Sequence, residues 1–321
     1  MLNRKYINFL KYYSTALICL GLFIFALFVL PIFRSLPNII DLFRHQTILF
    51  IISLGLTHVI ISGSIDLSIG SVAGVAGVTT AVFLSSAGPF FAPLIGLMAG
   101  VSIGLFNGVI VTLLGVSSLI ATVGSMFIGQ GMELVISGGF PIKIDLLDDK
   151  VFLALAHTDF WNIIPATILV TIIAGAISFI ISNYTILGRK MHAVGDSVLS
   201  AKYAAINSDK IIRIAFVFSS LLAGIGGILI VMRVTYAQPL ASQKYLLDSM
   251  AAVYIGQTLG KRRVPNVAGT FVGTFILVLI ENLTILFGIS FVWLYIFKGV
   301  ILIISVAASG AGMREDIRKS Y

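Results

Sequence analysis

From residue 15 onward the chain alternates long apolar runs with short polar breaks, and that alternation restricts its fold more than any other feature. The runs cover 15–33, 46–62, 68–86, 90–114, 117–137, 161–182, 211–233, 246–259, 264–287 and 289–309. About twenty apolar residues make a helix long enough to cross a ~30 Å hydrocarbon layer. A membrane barrel would show short alternating segments instead. The expected fold is an all-α membrane protein: a polytopic helical bundle of about ten transmembrane helices, with at least one short or broken helix, in a single domain over 1–321. Composition agrees, because 58% of the residues are hydrophobic and 11% charged, against about 25% charged in soluble domains.

The polar breaks set the topology. Residues 1–14 carry Arg4, Lys5 and Lys11 and are expected on the cytoplasmic side. The apolar run after them is long and has no small-residue cleavage site, which makes it a first span rather than a signal peptide. Five crossings place 138–160 outside, where acidic residues outnumber Lys143 and Lys150. The sixth crossing leads to a basic cytoplasmic loop, 184–210. Lys261, Arg262 and Arg263 should also lie inside, so the short run 246–259 must cross despite Asp248 and Gln257. The tail 310–321, with Arg314, Arg318 and Lys319, then ends inside. Arg34 and Arg44 fall outside and run against the scheme. The net charge of +8 is spread over span ends, which is topology rather than a nucleic-acid surface.

The fourth run repeats G-x-x-x-G through Gly96, Gly100, Gly104 and Gly108. Small residues at that spacing let helices approach closely in lipid, so a tight bundle is expected.

Polar groups inside spans are costly and are therefore default site candidates. SGSIDLSIGS places Asp66 and Ser68 between two runs, beside Gly63, Gly70 and Gly74. Two readings stay open: a broken helix that lines a cavity, or a tight turn in which Asp66 caps the next helix. Asn107, Gln130 and Asn282 are further polar residues in apolar surroundings, and with Asp66 and Ser68 they are the candidates for a substrate path. Glu133 is also set within a span. Glu281 and Lys298 are placed to form a structural ion pair across neighbouring helices.

The segment from Asn183 to Arg213 is the longest polar break in the C-terminal half. It carries Arg189, Lys190, Lys202, Lys210 and Arg213 against Asp196 and Asp209. Asp196 and Ser197 predict a helix cap, with a helix over 198–206. Leu199, Tyr203 and Ile206 would then share one face. Either this is a solvated loop with a fragment of helix, or it docks a soluble partner.

No P-loop, His pair, cysteine cluster or nucleophile elbow occurs. Cys19 is the one cysteine, so no internal disulfide can form. No cofactor, metal or catalytic residue is expected, and the chain does not read as an enzyme.

The ordered motifs resemble those of permease subunits of bacterial ABC importers for simple sugars, of the ribose, xylose, arabinose, galactose and autoinducer-2 type. They begin with Ser62-Gly63-Ser64-Ile65-Asp66-Leu67-Ser68-Ile69-Gly70-Ser71, then Leu119-Ile120-Ala121-Thr122 and Ser137-Gly138-Gly139. Leu187-Gly188-Arg189, Ala193-Val194-Gly195, Ala223-Gly224 and Gly226-Gly227 follow. Ala237-Gln238-Pro239 and Tyr245-Leu246-Leu247-Asp248, running into Ala251-Ala252-Val253, complete the set. The likeness covers roughly 45–305.

The resemblance implies a bacterial inner-membrane protein with both termini cytoplasmic. It also implies a separate cytoplasmic ATPase, an extracytoplasmic solute-binding protein and a second permease subunit, identical or not. Gly188, Arg189, Gly195 and Asp196 would join Leu199, Tyr203 and Ile206 in coupling to the ATPase. The family's glycine-rich run departs here to Ile255-Gly256-Gln257-Thr258-Leu259-Gly260-Lys261-Arg262-Arg263, which bears on partner choice. A proton-coupled carrier using Glu133, Glu281 or Asp66, and a membrane scaffold without transport, are the alternatives.

Overall fold

The structure, a computed structural model, describes residues 4–144, 151–152, 159–160, 164–259, 264–290, 292–304 and 307. Asp145, Asp148, Asp149, Lys150, the cations at 261–263 and the tail 310–321 lie outside the described residues.

Eleven helices account for nearly all of the described chain. They are α1 (Arg4–Val29), α2 (Leu36–Ile61), α3 (Ile69–Leu113), α4 (Ser118–Ser137), α5 (Thr167–Tyr184), α6 (Ile186–Asp196), α7 (Val198–Tyr203), α8 (Ser208–Val234), α9 (Lys244–Gln257), α10 (Val267–Leu286) and α11 (Val292–Ile304). Among the described residues six are long and apolar enough to cross a membrane: α2, α3, α4, α5, α8 and α10. Shorter apolar stretches occupy Thr15–Val29 and α11.

The helices follow the apolar runs, with differences of length: α1 begins at Arg4, well before its run, and α5 begins at Thr167, six residues after the start of its run. α2 begins ten residues before its run, at Leu36, and carries Asp41 and Arg44 into the helix. α3 joins two runs into one 45-residue element that is non-helical only at Gly88 (φ 77°, ψ 175°). That backbone region is open to glycine alone among common residues, and Pro89 restarts the helix where its missing N–H costs nothing.

Two short strand pairs were not expected from the runs. β1 (Ile142–Lys143) pairs antiparallel with β4 (Tyr236–Ala237), in the register Ile142↔Ala237. β2 (Asp159–Phe160) pairs with β3 (Ile164–Pro165).

The chain divides into two compact units, residues 1–46 with 247–321, and residues 47–246. In the second unit α3 packs along α8 and α4. The spaced glycines make this possible. Gly96 and Gly100 face Ala76 on the first half of α3, and Gly104 faces Ser220 of α8. Gly227 lies so close to Ala73 that a Cβ there would overlap its carbonyl oxygen. In the first unit Phe23 of α1 meets Phe33 edge-on at 5.7 Å and Phe275 of α10 at 5.9 Å. Thr15 and Thr258 share a hydrogen bond there.

Candidate functional site

The break between α2 and α3 places a cluster of buried polar groups inside the second unit. α2 ends with Gly63 left-handed at φ 79°, and Ser64 N–H bonds back to Val59 O at 3.1 Å. The chain between the two helices forms no helix or strand and is held by hydrogen bonds. Ile65 N–H donates to Ser118 Oγ at 3.1 Å. Asp66 Oδ1 accepts from Ser68 N–H at 2.9 Å and from Ser68 Oγ at 2.6 Å. Its Oδ2 accepts from Ser219 Oγ of α8 at 3.2 Å. Asn107 Nδ2 donates to Ser68 Oγ at 2.8 Å, and Ser125 Oγ of α4 donates to Asn107 Oδ1 at 2.6 Å. Asp66 is 1% exposed, and Ser68 and Asn107 are fully buried. Asp66 thus takes the Ser68 amide at the start of α3, as the turn reading has it, and it does so inside the bundle, where it also fastens α8.

The basic segment forms two helices rather than one. Thr185 caps α6 by accepting from Gly188 N–H at 3.2 Å, and Ser197 caps α7 by accepting from Ser200 N–H at 3.2 Å. The helix expected to reach residue 206 stops at Tyr203, because Ala205 turns left-handed at φ 57°. The expected apolar stripe is corrected with it. Leu199 (64% exposed) and Tyr203 (85% exposed) face outward. Ile206 folds back instead, its N–H on Ala201 O at 2.9 Å. It packs on a core of Val59, Ile61, Met191, Val194, Ala201 and Phe216. A six-residue helix cannot carry an i, i+7 stripe, since that takes two turns.

Two glycines set α6 directly on the bundle. A Cβ at Gly188 would run into the carbonyl oxygens of Ile181 and Ser182. A Cβ at Gly195 would run into Ile61 O, and one at Gly63 would come within 3.1 Å of Gly195 Cα. Arg189 and Asp196 point away from the bundle and are exposed. Nearby, His58 Nδ1 bonds to Leu54 O at 2.8 Å, and its Nε2 meets Ser182 Oγ at 3.2 Å.

Glu133 belongs to a feature that sequence reasoning did not resolve. Its Oε2 accepts from Leu240 N–H at 2.7 Å, and its Oε1 accepts from Gln243 Nε2 at 3.2 Å. The carboxyl group occupies the space left by the missing side chain of Gly74. The segment 235–243, between α8 and α9, is thereby fastened to α4.

The remaining candidates lie elsewhere. Gln130 is half-buried in α4. Asn282 belongs to the first unit, where it exchanges side-chain hydrogen bonds with Asn38 at 2.8 and 3.3 Å. In the same unit Lys298 Nζ lies 3.1 Å from Glu281 Oε2 and 2.8 Å from Asp248 Oδ2. The second carboxylate was missed. Its signal was present in the sequence: Asp248 is a charged residue in a short apolar run.

Six helices long and apolar enough to cross a membrane, with a buried polar break between two of them, define a multi-pass helical membrane protein. The family model described as branched-chain amino acid transport system / permease component matches residues 38–306. The ribose import permease protein RbsC of Haemophilus influenzae is 32% identical over 279 residues, covering 87% of this chain and 86% of the relative. The ribose import permease of Bacillus subtilis is 29% identical over 291 residues, covering 89% and 90%. The L-arabinose transport system permease protein AraH of Escherichia coli is 31% identical over 298 residues, covering 92% and 89%. No solved structure matches the chain. The chain belongs to this permease family, as a subunit of an ABC importer of the simple-sugar type.

Proposed function

We propose that this chain forms the membrane path of an importer that brings a simple sugar into a bacterial cell. It works as one of two permease subunits in the inner membrane, with a separate cytoplasmic ATPase and an extracytoplasmic binding protein that delivers the sugar. Ten crossings leave both termini inside. α3 supplies two of them, one on each side of Gly88, and α1, α9 and α11 complete the count of the long helices.

The observation that carries this reading is the α6–α7 pair. Two short capped helices sit at one end of the bundle, with Leu199 and Tyr203 turned outward and an apolar core beneath, and the cations of the segment assign that end to the cytoplasm in this reading. An ATPase that grips the outer face moves the inner one. Such movement, transmitted through packed helices, switches the bundle between two openings, which is alternating access. The relatives named for ribose and arabinose import support the substrate class.

The test is co-purification with the neighbouring ATPase, followed by labelled ribose and arabinose uptake. The wild-type chain should retain the ATPase in detergent, and Leu199→Asp with Tyr203→Asp should lose it. An ATPase that never associates, or that binds the double variant equally well, would refute the docking reading.

A further inference from the structure

The segment 235–243 does not stay at the end of the bundle. Gly227 of α8 touches Ala73 of α3, and it lies seven residues short of the end of α8 at Val234. Gly70 lies about one turn deeper along α3. The ideal Cβ position of Gly70 is 3.1 Å from Ser242 O and 3.3 Å from Gln243 Oε1. At 1.5 Å per residue, Ser242 and Gln243 therefore sit roughly 15 Å below the outer end of α8. The chain enters at Thr235, pairs briefly as β4, dips inward, makes one 3-10 turn at Ala241–Gln243 and only then starts α9 at Lys244.

Backbone that leaves the α-helix at that depth persists only where it is buried in protein or lines a water-filled space. The side chains decide between the two. Gln238, Leu240 and Lys244 are exposed, and Gln243 is half-buried. A lysine ammonium facing lipid at this depth would be strongly unfavourable. The part of the exposed face that carries Gln238 and Lys244 is therefore turned to water rather than lipid, with Leu240 and Ala241 exposed beside it.

Its geometry is also fixed rather than loose. Glu133 takes the Leu240 amide and one amide hydrogen of Gln243, and Leu240 is held left-handed at φ 65°. With Nε2 engaged, Gln243 keeps a carbonyl oxygen as an acceptor. Gln238 offers both donor and acceptor, and Lys244 offers donors. That set suits a neutral polyhydroxylated solute.

We propose that the re-entrant segment Gln238–Lys244 lines the translocation path and that Gln238, Gln243 and Lys244 contact the sugar. Glu133 is a positioning residue that holds the segment in register. The proposal rests on the importer reading, but its first readout does not depend on transport.

The experiment uses the full chain with its partners in spheroplasts, in a Cys19→Ser background. Gln238→Cys or Lys244→Cys is introduced, and a charged, membrane-impermeant methanethiosulfonate reagent is added outside. Ile177→Cys, on the exposed apolar face of α5, is the lipid-facing control. Both path thiols should react at least about tenfold faster than the control, because a thiol in apolar surroundings stays protonated and unreactive. Labelling of Lys244→Cys as slow as that of Ile177→Cys would overturn the proposal.

Ribose uptake supplies the second readout. Gln243→Ala should raise KM by roughly tenfold, the effect of one lost hydrogen bond, with ATPase co-purification unchanged. An unchanged KM with a reduced maximal rate would overturn sugar contact at Gln243. Absence of ribose uptake by the unmodified chain would count against the sugar reading, and the labelling result would still decide this one.

Discussion

Gly195 of α6 rests its backbone directly on the carbonyl oxygen of Ile61, the last residue of α2, with no room for a Cβ between them. Three residues on, the chain enters the hydrogen-bonded stretch that ends at Asp66 and Ser68. Movement of α6 therefore reaches the polar break without passing through a flexible side chain.

Gly195→Ala tests that transmission. The outward face of α6 and α7 is untouched by the change, so the ATPase should still co-purify and hydrolyse ATP. Uptake per ATP should fall roughly tenfold, corresponding to about 1.4 kcal/mol of lost coupling. Uptake and hydrolysis measured on the same proteoliposomes check this, and a fixed ratio of the two would contradict it.

Asp66→Ala should destabilise the bundle. It leaves the Ser68 amide and the Ser219 hydroxyl without their buried acceptor, at a cost of about 1–3 kcal/mol. Asp66→Asn keeps an acceptor for the Ser68 amide and should lose less. Thermal unfolding in detergent, followed for both variants, should rank them in that order.

Lys298 bridges Asp248 and Glu281, so the three positions should not respond alike. Lys298→Met strands two carboxylates in apolar surroundings and should cost about 3–5 kcal/mol, seen as loss of membrane-inserted protein. Glu281→Gln leaves Lys298 its Asp248 partner and should cost less. Immunoblots of membrane fractions separate the two. Equal abundance would mean that the bridge is not a structural element.

Gly88→Ala isolates backbone strain. Nothing lies within 4 Å of the position its Cβ would take, but the φ of 77° remains. The penalty should be about 1–3 kcal/mol from the backbone alone. The melting temperature in detergent should drop while the ratio of uptake to hydrolysis stays at the wild-type value, in contrast with Gly195→Ala.

The spans were legible because each is a local property. A stretch such as 211–233 is predominantly apolar, and α8 occupies Ser208–Val234. The caps were partly legible for the same reason: Ser197 lies next to the helix it caps. The helix over 198–206 was read too long, because no local signal marks Ala205 as left-handed. Its reversal is set by the apolar core that pulls Ile206 inward.

What the sequence by itself determined is the number and length of the apolar runs, the cationic breaks between them, the small-residue faces and the set of polar residues caught inside. Hydrocarbon thickness and the cost of bare polar groups act on each segment separately, so these features can be read one stretch at a time. Only the tertiary structure decided which buried groups meet. Ser219 finds Asp66 across 153 residues, and Glu133 finds Leu240 across 107. A buried polar atom needs a partner, but its type does not say which one. The choice follows from how helices approach through their glycine faces, and that geometry belongs to the packed bundle rather than to any one run.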